Sequence, residues 1–276
     1  MDSAFAGRSA VITGASSGIG RSMALLLARQ GCRVGLIARR RSALDEVAGQ
    51  IRADGGVAAP AVADVGDRDQ VHRAFADLAD ALGPADLVIA NAGVGIPTTL
   101  EPVNIEAVEE TIRVNLMGVI YTIEAALPAM LARDAGRIAA VSSLAAYAGM
   151  PGESAYCASK AAVNAYLDCL RIQVRSRGIA VSTICPGFIR TPMTAGNSFA
   201  MPFALDADRA ADRIVRAIRR RAKVYDFPWQ TALMSKAARW VPDRLLAWIF
   251  REYLENPPIP AIPAHSGAAI RPPGDG

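Results

Sequence analysis

The sequence predicts an α/β fold: a doubly wound parallel β-sheet with helices on both faces, plus a C-terminal helical lid and extension. Three observations carry this. Short, nearly unbroken apolar runs alternate with helical segments as far as Ile189, a glycine-rich loop joins the first run to the first helix, and the alternation then breaks up. Continuous apolar runs suit strands covered on both faces, and strand–helix–strand alternation implies parallel pairing through right-handed crossovers.

The elements follow in order. The first strand is "SAVIT" (Ser9–Thr13), and the first helix runs over Gly18–Gln30, with Gly31 as its C-terminal cap. Between them Gly14, Gly18 and Gly20 form G-x-x-x-G-x-G, enclosing Ser16, Ser17 and Ile19. Such a loop turns sharply and turns the amides of a helix N-terminus toward a pyrophosphate, which makes the fold Rossmann-like. The second strand is "RVGLIA" (Arg33–Ala38). A carboxylate at its end would bind a ribose 2′-hydroxyl, but the chain has Ala38 followed by Arg39, Arg40 and Arg41. Guanidinium groups suit a 2′-phosphate, so NADP(H) is expected rather than NAD(H), with Arg39 and Arg40 as contacts. "VAAPAVA" (Val57–Ala63) leads to Asp64 and Val65, expected at the adenine. "DLVIAN" (Asp86–Asn91) leads into Asn91, Ala92 and Gly93, a tight turn beside the cofactor. "GRIAAVSS" (Gly136–Ser143) and "IAVSTIC" (Ile179–Cys185) complete the main strands. Between them, "SAYCASKAAV" places Tyr156 and Lys160 on one helix face.

In that order the motifs resemble the short-chain dehydrogenase/reductase family, in its compact branch, from about Arg8 to Met193. They are T-G-x-x-x-G-x-G (Thr13–Gly20), N-A-G (Asn91–Gly93), the Asn of "VNLMG", the Ser of "VSSLA", Y-x-x-x-K (Tyr156–Lys160) and P-G-x-x-x-T (Pro186–Thr191). The resemblance implies a catalytic set of Asn115, Ser143, Tyr156 and Lys160. Ser143 is chosen over Ser142 because the family's serine lies thirteen residues before its tyrosine. Pro186, Gly187, Ile189 and Thr191 then hold the nicotinamide, Asn115 holds a water linked to Lys160, and a homodimer or homotetramer is implied. The chemistry is consistent. Tyr156 exchanges a proton with the substrate oxygen, Ser143 donates a hydrogen bond to it, and the Lys160 ammonium with the positive nicotinamide ring of the oxidised cofactor is expected to lower a phenol pKa that is ordinarily ~10. An NADP(H)-dependent oxidoreductase follows. A non-catalytic NADP(H) sensor and an epimerase or dehydratase are the rival readings.

Substrate walls are expected from Leu144, Tyr147, Met150, Phe188 and Met193, with Phe199, Met201 and Phe203 from a lid over about 191–210, which favours a bulky hydrophobic carbonyl or alcohol. Glu153 is a candidate polar contact. A helix over Ala207–Arg221 and a strand over Ala222–Phe227 come next. The extension of about 228–255 is apolar and basic; it reads as a flap or oligomer contact ahead of a membrane contact. Residues 1–255 are expected as one domain and 256–276 as a Pro/Gly-rich disordered tail.

Composition narrows the alternatives. The 276 residues are 52% hydrophobic and 20% charged, enough for a sizeable core. The net charge of +4 is too small to argue for nucleic acid, and the cluster Arg213, Arg216, Arg219, Arg220, Arg221 and Lys223 reads as a solvated helix face. Cys32, Cys157, Cys169 and Cys185 lack paired spacing and no signal peptide precedes them, so a cytoplasmic location is expected. Two histidines, His72 and His265, argue against a His-based metal site or a Ser-His-Asp triad, and no metal is expected. No apolar run is read as a membrane span.

Overall fold

The computed structural model describes residues 5–196 and 201–251. Alternation begins as β1 (Ser9–Thr13), α1 (Gly18–Arg29), β2 (Arg33–Ala38), α2 (Arg41–Ala53), β3 (Val57–Val62), α3 (Arg68–Leu82) and β4 (Leu87–Ala90). It continues with α4 (Ile105–Ile112), α5 (Gly118–Ala132), β5 (Gly136–Val141), α6 (Ser154–Gln173) and β6 (Ile179–Pro186). The last part holds β7 (Ile189–Arg190), β8 (Leu205–Asp206), α7 (Ala207–Arg219), β9 (Val224–Phe227), α8 (Trp229–Ala238) and α9 (Asp243–Ile249). Seven strands form one parallel sheet in the order β3-β2-β1-β4-β5-β6-β9, while β7 and β8 pair separately.

Successive strand residues point to opposite faces, and each face has its own core. Ala10 and Ile12 of β1 join Met23 and Leu27 of α1, Leu44 of α2 and Ile214 of α7. Val11 faces the other way, with Phe75 of α3, Ile123 of α5 and Leu167 of α6. The arginines of α7 lie on its solvent side, opposite buried Ile214 and Ile218, as the sequence suggested. Chain order reverses between β1 and β4, so the loops after these strands diverge and open a crevice at the C-terminal edge of the sheet.

The structure modifies several expectations. β3 is an edge strand, not one covered on both faces: Val57 and Val62 are exposed. Ala63 N–H donates to Ala38 O, so the two-residue alternation turns position 60 away from β2, and there the chain places a proline, which has no N–H. The final strand starts at Val224, two residues later than expected. Ile105–Ala132 is a continuous 28-residue helical stretch holding an 18-residue window of mean hydropathy 1.5, long and apolar enough to cross a membrane, contrary to the sequence reading. It is built into the core: Val114, Val119, Ile123, Ala126 and Met130 pack against the sheet. Its middle, Arg113–Met117, is a π-helical turn. The extension lies over the cleft wall only at its root, where Thr231 and Ala232 of α8 are buried; α9 buries none of its residues. The expected tail of 256–276 lies outside the described residues.

Candidate active site

The crevice is a cleft of about 350 Å³ along the C-terminal ends of the strands. At one end stands the glycine loop. Gly14 has φ +67°, and a Cβ there would lie 2.8 Å from the Ala92 Cα, so the β1 and β4 loops touch because glycine is present. Thr13 Oγ accepts from Asn91 N at 3.0 Å and Ala92 N at 3.2 Å, and Asn91 Nδ2 donates back to Thr13 O at 3.0 Å. No side chain caps α1, so the first amides of the helix remain available to an anion in the cleft.

Of the predicted cofactor residues, Gly14, Ser16, Ser17, Gly18, Ile19, Arg39, Arg40, Asp64, Val65, Asn91, Ala92, Gly93, Tyr156, Lys160, Pro186, Gly187, Ile189 and Thr191 line this cleft, as does Ser143. Gly20 does not. It is buried behind the loop, where a Cβ would meet Gly14 O at 2.2 Å, so its role is packing and not contact. Arg39 and Arg40 are exposed at the cleft mouth, and Arg40 Nη2 donates to Ser16 Oγ at 3.3 Å. Arg41 instead starts α2 and pairs with Asp45 at 2.9 Å. Asp64 is less free than the sequence suggested. Arg113 donates to its Oδ2 at 3.0 Å and Gly66 N to its Oδ1 at 2.9 Å. Those bonds outweigh partial burial and hold its carboxyl below the usual range. Arg113 also pairs with Glu110 at 2.7 Å, and nothing near it in sequence signalled the contact with Asp64.

At the other end Ser143 closes β5 and caps a short 3₁₀ turn, Leu144–Ala146, by accepting from Ala145 N at 3.1 Å. Ser142 borders the cleft as well, but its hydroxyl is committed to Lys160 O at 3.1 Å. Tyr156 and Lys160 share a face of α6, with Nζ 5.6 Å from the phenol ring centroid. The Nζ donates to Val141 O at 3.0 Å, and Lys160 as a whole is 3% exposed. In the protein alone, burial dominates both groups. Burial pushes the Tyr156 phenol up to about 12, against the lowering effect of its hydrogen bond with Ser143. Burial also pulls the Lys160 ammonium down to about 8. Desolvation disfavours both charged forms.

Asn115 sits in the π-helical turn, behind the cleft wall. Its Oδ1 accepts from Val94 N at 2.8 Å, and its Nδ2 donates to Val94 O at 2.9 Å and to Ser159 Oγ at 3.2 Å. Both amide protons are thus committed to holding the β4 loop and α6 together, and a water on this side chain would have only the second lone pair of Oδ1. Ser159, missed in the sequence, follows Tyr156 by three residues and donates to Tyr156 O at 2.7 Å.

The expected substrate walls are largely elsewhere. Met193 lines the cleft; Leu144, Tyr147, Met150, Phe188, Met201, Phe203 and Glu153 do not, and Phe199 lies outside the described residues. Leu144 and Tyr147 turn toward Cys185 and Ala232 in a small separate cluster. Tyr147 Oη donates to Asp226 Oδ1 at 2.8 Å, and Lys236 pairs with the same carboxylate while its Nζ stands 4.8 Å from the Tyr147 ring centroid. Asp226 and Lys236 thereby tie the turn after Ser143 to β9 and α8. Glu153, at the start of α6, is partly buried, and desolvation raises its carboxyl to about 7.

A glycine loop, an uncapped helix start and a crevice at the point where strand order reverses define a dinucleotide-binding protein of the doubly wound class. Comparison narrows the class. Residues 8–200 match the family model described as short chain dehydrogenase. An uncharacterized oxidoreductase of Myxococcus xanthus is 38% identical over 238 residues, covering 86% of this chain and 94% of that protein. A probable oxidoreductase of Mycobacterium tuberculosis, EphD, is 34% identical over 256 residues, which cover 85% of this chain but 43% of that longer protein. Among solved structures, a 3-ketoacyl-ACP reductase from Sinorhizobium meliloti superposes with a TM-score of 0.74 at 31% identity, covering 82% of this chain and 99% of that one. An actinorhodin polyketide ketoreductase solved with NADPH gives 0.74 at 25% identity, covering 80% and 95%. The chain belongs to the short-chain dehydrogenase family and is an oxidoreductase that uses a nicotinamide cofactor.

Proposed function

We propose that the protein is an NADP(H)-dependent reductase of hydrophobic carbonyl compounds, with Tyr156 as the proton donor. The observation that carries this reading is the joint placement, on one cleft, of the glycine loop, the Arg39–Arg40 pair and the Ser143, Tyr156 and Lys160 side chains. The lining fits a dinucleotide. Gly14, Gly18 and Gly93 leave room where a Cβ would crowd Ala92, Thr191 or the Asn115 amide, and the α1 amides stand beside them. Arg39 and Arg40 would hold a 2′-phosphate, for which no acidic residue at the end of β2 competes. When bound, the nicotinamide supplies or accepts the hydride.

The chain's own groups do the rest. Burial raises the Tyr156 phenol, so it is protonated at neutral pH, the form that donates to a nascent alkoxide. Ser143 stands beside it to donate a second hydrogen bond to the same oxygen. Lys160, fixed on Val141 O, carries its remaining ammonium protons toward the cleft floor beside Gly93. Val94, Ile189, Pro192 and Met193 supply an apolar wall that excludes water from the reacting oxygen.

The test is NADPH and NADH oxidation against a panel of hydrophobic ketones and aldehydes, for the native enzyme, Tyr156→Phe and Arg39→Asp. Tyr156→Phe loses at least ~10²-fold in kcat, as for removal of a general acid. Arg39→Asp moves the preference toward NADH. Near-native turnover by the first variant, or an unchanged cofactor ratio in the second, sinks the corresponding part of the reading.

A further inference from the structure

We propose that α8, α9 and the turn between them form a docking face for an anionic phospholipid bilayer. Single exposed apolar side chains are ordinary on any protein surface, but concentrations of them are not. Seven of the sixteen large apolar residues exposed among the described residues fall within 229–251. They include all three tryptophans of the chain: Trp229 at 70%, Trp240 at 87% and Trp248 at 61%. Leu233, Met234 and Ile249 are more than half exposed beside them. Tryptophan, with its apolar ring and polar N–H, suits the headgroup boundary of a bilayer better than either water or a dry core.

The charge of the same stretch selects the kind of surface. It holds Lys236, Arg239, Arg244 and Arg251 against one acid, Asp243. Lys236 is engaged by Asp226 and Arg251 stacks on Trp248 at 5.5 Å, whereas Arg239 and Arg244 have no ion pair among the described residues. A two-fold contact of this stretch with itself would bring two surfaces of the same net positive charge together. Lipid phosphates complement them, and tryptophan beside basic side chains is the composition of a membrane interface.

The root of α8 packs directly on the cleft wall. A Cβ at Gly187, on the cleft wall, would lie 3.3 Å from both Pro228 and Thr231 at the root of α8, and Gly187 N donates to Phe227 O at 2.7 Å. A docked molecule would therefore hold its cleft close to the lipid phase. This inference does not depend on the proposed reaction, and its test does not read activity.

The full chain is sedimented with phosphatidylcholine vesicles and with vesicles of phosphatidylcholine mixed with phosphatidylglycerol, at low and high salt, with tryptophan fluorescence recorded alongside. Expected are binding to the mixed vesicles, at least about tenfold weaker binding to phosphatidylcholine alone or in high salt, and a blue shift of the emission on binding. Trp240→Ser with Trp248→Ser removes the binding, and Arg239→Glu with Arg244→Glu weakens it at least about tenfold, each with an unchanged melting temperature because these side chains are exposed. The proposal is overturned if the protein stays in the supernatant with both vesicles, if it binds both equally in high salt, or if light scattering shows a dimer whose tryptophans are quencher-protected and which binds no vesicle.

Discussion

Gly20→Ala tests whether the last glycine of the loop serves packing or nucleotide contact. The added Cβ would lie 2.2 Å from Gly14 O, 2.9 Å from the Gly14 carbonyl carbon and 2.6 Å from Asn91 Nδ2. Carbon–oxygen contacts relax at ~3.3–3.6 Å, so the loop has to open by roughly 1 Å. Opening strains a backbone that Asn91 pins through Thr13 O and Gly14 O. Overpacking of this kind costs ~1–3 kcal/mol, and each weakened hydrogen bond adds about 1 kcal/mol. The better helix propensity of alanine returns up to about 1 kcal/mol. A net loss of roughly 2–3 kcal/mol remains, and at ~2–4 °C per kcal/mol for a chain of this size Tm falls by about 5–10 °C. The assay is thermal unfolding followed by circular dichroism with no nucleotide added. Gly49→Ala is the internal control: its Cβ meets nothing within 4 Å on the solvent side of α2, so the same substitution stabilises by ~0.5–1 kcal/mol. A Gly20→Ala protein that melts with the native one, or above it, would refute the packing argument.

Two further predictions rest on groups around α6 and α8. Glu153 is raised from 4.5 to about 7, so between those values the unfolded chain releases a proton that the folded chain keeps; stability falls as pH rises through that window and stays lower above it. Glu153→Gln therefore raises Tm at pH 8 by an amount worth about 1 kcal/mol after allowing for solvent screening, and leaves it unchanged at pH 4; equal shifts at both pH values would contradict the assignment. Asp226→Asn removes the charge that holds Tyr147 and Lys236, costs about 1–2 kcal/mol in denaturant unfolding, and lowers kcat severalfold with little change in nucleotide Kd, because the turn capped by Ser143 loses its tether; unaltered stability and kcat would show that the tether is idle.

The strands were legible in the sequence because burial on both faces makes each a continuous apolar run, and most ends fall within two residues of expectation. Tyr156 and Lys160 could be placed on one face because helix periodicity is a local fact, whereas Ser143 joined them only through the family resemblance. What escaped was everything set by partners distant in sequence. Leu144 and Tyr147 look like cavity walls until α8 and Asp226 claim them. Asp64 looks free until Arg113, 49 positions later, takes one of its oxygens. The π-helical turn at Arg113–Met117 leaves no compositional trace, and the β7–β8 pair of two residues each is too short for any period to register.

The proline on the outermost strand has a consequence for how copies of this protein coexist at high concentration. An open sheet edge is a template: a strand from another chain can add to it if donors and acceptors alternate without a gap. At β3 the outward donor of residue 60 is missing and the proline ring occupies its place, so an incoming strand loses a rung in the middle of a six-residue ladder. The exposed Val57 and Val62 at the two ends of that strand would otherwise make it an aggregation seed. Pro60→Val would keep the pairing with β2 and restore the missing donor on the open side, turning a protected edge into a sticky one.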